Sequence, residues 1–187
     1  MSAIPSETPL LSVEEYLEAE LASEIKHEYF GGRAYAMSGA SVVHNQITLN
    51  LAMALRQHLK SKPCQVFMAD VKVRLRVAAQ DVFYYPDVFV ACRADDREKY
   101  YRRHPNTIIE VLSEATERTD RREKFLAYQT IESLKEYVLV GQAERQVTVF
   151  RRDTGWEPEH FNLQDALTLP SLEFSMPVAE VYAGAES

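Results

Sequence analysis

The sequence predicts one α/β domain, with helices packed on a mixed sheet, and three observations carry that expectation. Val43, Ile47, Leu51, Leu55 and Leu59 recur every four residues, the apolar stripe of a helix laid on a sheet. The runs 88–92 (VFVAC) and 107–112 (TIIEVL) have the β-branched and large apolar composition of buried strands. Gly31-Gly32, between two aromatic-rich runs, signals a hairpin near the N-terminus. At 187 residues the chain is long enough for a core of its own. No repeat, low-complexity stretch or linker divides it, so residues 1–187 are read as a single domain.

The elements follow in order. Residues 1–11 are polar, contain Pro5 and Pro9, and are expected to form a loose arm. Ser12 followed by Glu15 is a capping-box signature, which starts a short helix ending near Ser23. Lys26–Phe30 and Arg33–Ser38 are the hairpin strands, and Ser41 is placed to cap the long helix. The segment Gln65–Val77 alternates: Val71, Val73, Leu75 and Val77 face one way and Lys72, Arg74 and Arg76 the other. That pattern predicts a half-buried strand with an exposed basic face. Pro86 fits only at the start of the 88–92 strand, where a missing N–H is tolerated. Arg93–His104 reads as a charged, mobile loop, either simply solvated or a phosphate-facing flap in which Tyr100 and Tyr101 supply stacking surfaces for unpaired bases. Glu136–Val140 and Gln146–Arg151 are strands joined by a tight turn, and short segments around Trp156 and Leu167–Phe174 close the domain.

Bulk composition narrows the function classes. With 21 basic and 28 acidic residues the formal net charge is −7, which argues against a non-specific nucleic-acid coat protein. It does not argue against a nuclease, because carboxylates that hold a divalent cation also make a chain acidic. Cys64 and Cys92 belong to no CxxC pattern and are read as reduced core thiols. No basic segment followed by an apolar run opens the chain, and no run is long enough to span a bilayer. The default expectation is a soluble cytoplasmic protein.

One residue breaks the apolar pattern. Glu110 lies within the 107–112 strand, where an ionised carboxylate without a partner costs several kcal/mol. It is therefore paired with an arginine such as Arg74 or Arg76, protonated, or bound to a cation. Asp87, at the start of the preceding buried strand, converges with Glu110 if the two strands are neighbours. Two carboxylates are a sufficient protein set for Mg²⁺ or Mn²⁺, since magnesium keeps most of its waters. The order is Pro86-Asp87, a spacer, then Glu110-Val111-Leu112, as in restriction-type nucleases but with leucine where lysine is expected. Lys124, on the following helix, is the nearest replacement, and its four-carbon stem can carry the ammonium back to the carboxylates.

The run EVLSEAT…D…K…Y…I.S.KEYVLV, with Pro86-Asp87 upstream and HEYFGG…SGAS..H near the start, resembles the Uma-two family of endonucleases. The resemblance covers about Tyr16 to Tyr182 and implies a PD-(D/E)XK, restriction-endonuclease-like fold. It implies that Asp87 and Glu110 are the metal ligands, that the lysine has migrated to Lys124, and that Glu28 and His44 line the site. The resulting expectation adds the Val111 carbonyl as a candidate further oxygen, a catalytic role for Glu28 through a metal-bound water, and His44 toward the substrate. Two positions depart from the family pattern: Glu114 stands where proline is usual, and Gly141 where an aspartate is common. The expected activity is Mg²⁺- or Mn²⁺-dependent hydrolysis of DNA by a homodimer. The leucine at 112 leaves open a second reading, a binding or scaffolding module that keeps the fold without the chemistry.

Overall fold

The computed structural model of the protein describes residues 10–113 and 117–185. Most of the expected arm and the departure at Glu114 lie outside the described residues. Helix α1 (Val13–Ala22) carries the predicted capping box, with Ser12 accepting from the Glu15 N–H and the Glu15 carboxylate accepting from the Ser12 N–H. The hairpin β1 (His27–Phe30) and β2 (Arg33–Ala36) turns at Gly31 and Gly32, both at positive φ. Helix α2 (Val42–His58) follows, capped by Ser41. Then come β3 (Gln65–Met68), β4 (Lys72–Val77), β5 (Gln80–Tyr84), β6 (Val88–Ala91), β7 (Tyr101–Arg102) and β8 (Pro105–Leu112). A helical crossing leads on: α3 (Glu117–Thr119), a π-helical turn (Asp120–Lys124) and α4 (Phe125–Gln129). The chain ends through β9 (Glu136–Gly141), β10 (Val147–Arg151), β11 (Pro158–Phe161), β12 (Ala166–Leu169), β13 (Phe174–Pro177) and α5 (Val178–Val181).

The strands form two mixed sheets and a small ribbon. One sheet runs β2-β1-β5-β4-β7, the other β11-β10-β9-β8-β6-β3, and β12 pairs with β13. The pairs β8–β9 and β4–β7 are parallel. Side-chain alternation along β8 explains the layering. Ile109 and Val111 point to α2, joining Ile47, Leu51, Leu55 and Leu59 in one core. Ile108 and Leu112 point the other way, into a second core with Tyr128, Leu134 and the inner residues of the five-stranded sheet. The six-stranded sheet is therefore covered by α2 on one face and by α4 and the other sheet on the second. Residues 85–87 carry the chain from β5 in one sheet to β6 in the other, and Pro86 sits in that passage, where no ladder partner is needed.

Several expectations are corrected. Residues 65–77 form not one strand but two, β3 and β4, placed in different sheets around a turn with Ala69 at positive φ. Strand β5 had no sequence prediction. Lys72 is not exposed: only 5% of it meets solvent, and its ammonium donates to the Tyr85 hydroxyl at 3.0 Å. The 93–104 loop is anchored, because the buried Asp96 accepts from the N–H groups of Arg103 and His104. Its Tyr101 is buried beside Phe83, and Arg93 and Arg103 pair with Asp95 and Glu98, while Arg97, Lys99 and Tyr100 stay exposed. The cysteines are not reduced thiols: Cys64 and Cys92 form a disulfide. They flank the register pair Gln65↔Ala91 of the antiparallel β3–β6 ladder, a cross-strand neighbourhood that 28 residues of separation conceal. No helix among the described residues is long and apolar enough to cross a membrane.

Candidate active site

The five residues singled out from the sequence meet where the two sheets join. Asp87 ends the passage from β5 to β6, Glu110 lies on β8, Glu28 on β1, His44 in the first turn of α2 and Lys124 in the π-helical turn. The β6–β8 ladder aligns Val88 with Ile109, so Asp87 and Glu110 are neighbours, and the Asp87 N–H donates to Glu110 Oε2 at 3.2 Å. Asp87 Oδ2 accepts the Val111 N–H at 2.7 Å and lies 3.1 Å from His44 Nε2. Ser41 orients the helix end that carries this histidine.

Glu110 is 2% exposed, yet its partner is neither Arg74 nor Arg76. Arg74 pairs with Asp81, and Arg76 donates to the Ala79 carbonyl. The cation near Glu110 is Lys124, itself 6% exposed, with Nζ 3.5 Å from Glu110 Oε1, 2.9 Å from Glu28 Oε1 and 3.3 Å from Asp120 Oδ1. Leu112 shares the Glu110 face of β8 but packs in the apolar core, so the ammonium beside Glu110 is that of Lys124. The π-helical turn, wider than an α-helical one, has both Asp120 and Lys124 buried. Tyr128, from α4, donates its hydroxyl to Glu110 Oε1 at 3.0 Å, and the Tyr84 ring lies 5.4 Å from the Lys124 ammonium.

Among the described residues, charge is out of balance in this cleft. Glu28, Asp87, Glu110 and Asp120 surround one ammonium and one imidazole. Burial drives the Glu110 carboxyl well above its ordinary range; Lys124 opposes this, while Asp120, Asp87 and Glu28 reinforce it. Burial works against the Lys124 ammonium, but Glu110, Glu28 and Asp120 outweigh it and hold Lys124 protonated. For His44 burial again favours the neutral form and is outweighed by Asp87, with the Val111 carbonyl contributing.

Among the described residues no three His, Cys, Asp or Glu side chains form a ready-made metal cage. The donor set nevertheless fits a hard cation: two adjacent carboxylates with unused lone pairs, in a cleft with surplus negative charge, meet the modest protein requirement of magnesium. Asp120 and Tyr128 stand in the run that carries the resemblance but had no role assigned, and Tyr84 was not singled out from sequence. The four-residue spacing of Asp120 and Lys124 was a usable signal for the first; the tyrosines are ordinary core residues in pattern.

Residues 13–179 match the Uma2 family, described as "Putative restriction endonuclease". The chain belongs to that family. Two relatives are uncharacterized proteins of Synechocystis sp. (strain ATCC 27184 / PCC 6803 / Kazusa). One, slr1290, is 35% identical over 94% of this chain and 93% of its own length. The other, sll1609, is 33% identical over 72% of this chain and 77% of its own. The fold is similar to a crystal structure described as a putative nuclease belonging to DUF820 from Anabaena variabilis ATCC 29413. That comparison has a TM-score of 0.74 at 17% identity and covers 94% of this chain and 99% of the other. Within this Uma2 chain the departure at Gly141 is absorbed locally, since its N–H donates to Gln146 and its carbonyl accepts from Tyr182.

Proposed function

We propose that this protein is a metal-dependent nuclease that hydrolyses DNA phosphodiester bonds at the junction of its two sheets. The observation that carries the proposal is the convergence of Asp87, Glu110 and Lys124 in one cleft with surplus carboxylate, in a chain of the Uma2 family. Asp87 and Glu110 would hold Mg²⁺ or Mn²⁺. Such a cation supplies activation of water and neutralisation of charge on the phosphate oxygens. The remaining chemistry belongs to the chain. Lys124 offers a proton-bearing ammonium to orient the attacking water or to stabilise developing negative charge. Glu28 holds that ammonium at 2.9 Å and is a positioning residue, and Tyr128 fixes the rotamer of Glu110. The Val111 N–H and His44 fix Asp87, so His44 acts through Asp87 in this reading.

The test is cleavage of single- and double-stranded DNA in Mg²⁺ or Mn²⁺ by wild type, Asp87→Ala and Glu110→Ala. Cleavage by wild type that both variants lose supports the proposal. If wild type and variants leave every substrate equally intact, the alternative of a nuclease-fold binding or scaffolding protein takes its place.

A further inference from the structure

The β1–β2 hairpin that delivers Glu28 has a second feature on the same face. In its register Glu28 opposes Tyr35 and Phe30 opposes Arg33. Directly opposed residues of an antiparallel ladder share a face, and the two-residue period adds 28 to 30 and 33 to 35. Glu28, Phe30, Arg33 and Tyr35 therefore lie on one side, while Tyr29 points to the other and stacks on Tyr16 in the core. This side opens on the candidate site, because Glu28 reaches Lys124. Yet Tyr35 is 53% exposed and Phe30 37%, and Arg33 is exposed as well. Aromatic area on a solvated hairpin adds nothing to a core, and here it is continuous with a phosphodiester site.

We propose that Tyr35, Phe30 and Arg33 form a track for unpaired nucleotides, with Tyr35 stacking on a base beside the scissile phosphate and Arg33 meeting the backbone. The proposal rests on the nuclease reading and deepens it, since it assigns a substrate class. Base faces are open to stacking only where the strand is unpaired, so the track selects single-stranded or locally melted DNA. The arginine supplies the charge complementarity that an overall acidic chain must concentrate locally. The competing occupant is a second copy of the chain, because β2 is the edge of its sheet among the described residues.

The experiment measures binding of a short labelled single strand and its duplex by fluorescence anisotropy, with EDTA present so that the DNA stays whole. Wild type should prefer the single strand. Tyr35→Ala should weaken single-strand binding by about 5- to 150-fold, the stacking increment of one base. Tyr35→Trp should restore it. Arg33→Gln should reduce the log–log salt slope by about 0.7, the loss of one phosphate contact on a single strand. Unchanged affinity in Tyr35→Ala overturns the track, as does a Tyr35→Ala variant altered only in self-association by sedimentation. A parallel cleavage assay separates the two readings. Wild type that cleaves while Tyr35→Ala binds normally removes the track and leaves the nuclease. Tyr35-dependent binding without cleavage keeps the track and removes the chemistry, and wild type that neither binds nor cleaves removes both.

Discussion

Replacing Lys124 by methionine keeps a long unbranched side chain and removes the charge that holds three carboxylates together. Glu28, Asp120 and Glu110 lie 2.9, 3.3 and 3.5 Å from its ammonium, and Glu110 and Asp120 are as buried as the lysine itself. Breaking a buried ion pair by removing one partner costs about 3–5 kcal/mol. The lower end is expected here, because Glu110 is already pushed toward its protonated form and takes up a proton readily. For a domain of this size each kcal/mol moves the melting temperature by about 2–4 °C, so a loss near the lower end gives roughly 6–12 °C. Thermal melting followed by circular dichroism, without divalent ions, reads the shift. Arg122→Met, an exposed neighbour on the same turn, is the control and should stay within about 0.5 kcal/mol of wild type. Added Mn²⁺ should return part of the loss, since saturation to a hundred times Kd stabilises a native state by about 2.7 kcal/mol. A Lys124→Met variant that melts with wild type refutes the reasoning, because the carboxylates would then be balanced by something else.

Three further outcomes follow from the same structure. Reducing the Cys64–Cys92 disulfide, which closes 28 residues, should lower stability by about 3–4 kcal/mol in urea titrations, with an unchanged transition midpoint as the contrary result. His44→Ala should reduce cleavage about 10- to 100-fold by loosening Asp87, while melting within a few degrees of wild type; equal loss of fold and activity would make the histidine merely structural. Burial pushes the Tyr182 hydroxyl above its ordinary range, so above pH 10 the unfolded chain sheds a proton that the folded chain keeps. Stability should then fall with rising pH by up to about 1.4 kcal/mol per unit from this group, and Tyr182→Phe should show a shallower alkaline decline.

Much of the site was legible because Glu110 violates a local rule. A carboxylate among isoleucines and valines has few physical explanations, and Asp87, at the head of the other apolar run, meets it once the two strands are neighbours; Glu28 and His44 entered only through the family resemblance. The capping box at Ser12 and the stripe on α2 were equally plain, since both depend only on residues a few positions apart. What stayed hidden depends on pairing across distance. The disulfide needs the β3–β6 register, and the burial of Lys72 needs the Tyr85 hydroxyl brought against it from the far end of β5. The division of residues 65–77 between two sheets is marked only by a change of pattern, from the continuous apolar run 66–69 (VFMA) to the alternation that begins at Val71. Asp120 was overlooked because a charged helical segment, DRREK, reads as a solvated face until a π-helical turn buries two of its residues.

The central claim is that Asp87 and Glu110 hold a divalent cation beside Lys124. Titration calorimetry of Mn²⁺ into wild type, Asp87→Ala and Glu110→Ala tests it without requiring a known substrate. A saturable site in wild type that both variants lose is the predicted result. No binding by wild type, or binding that both variants keep, contradicts it.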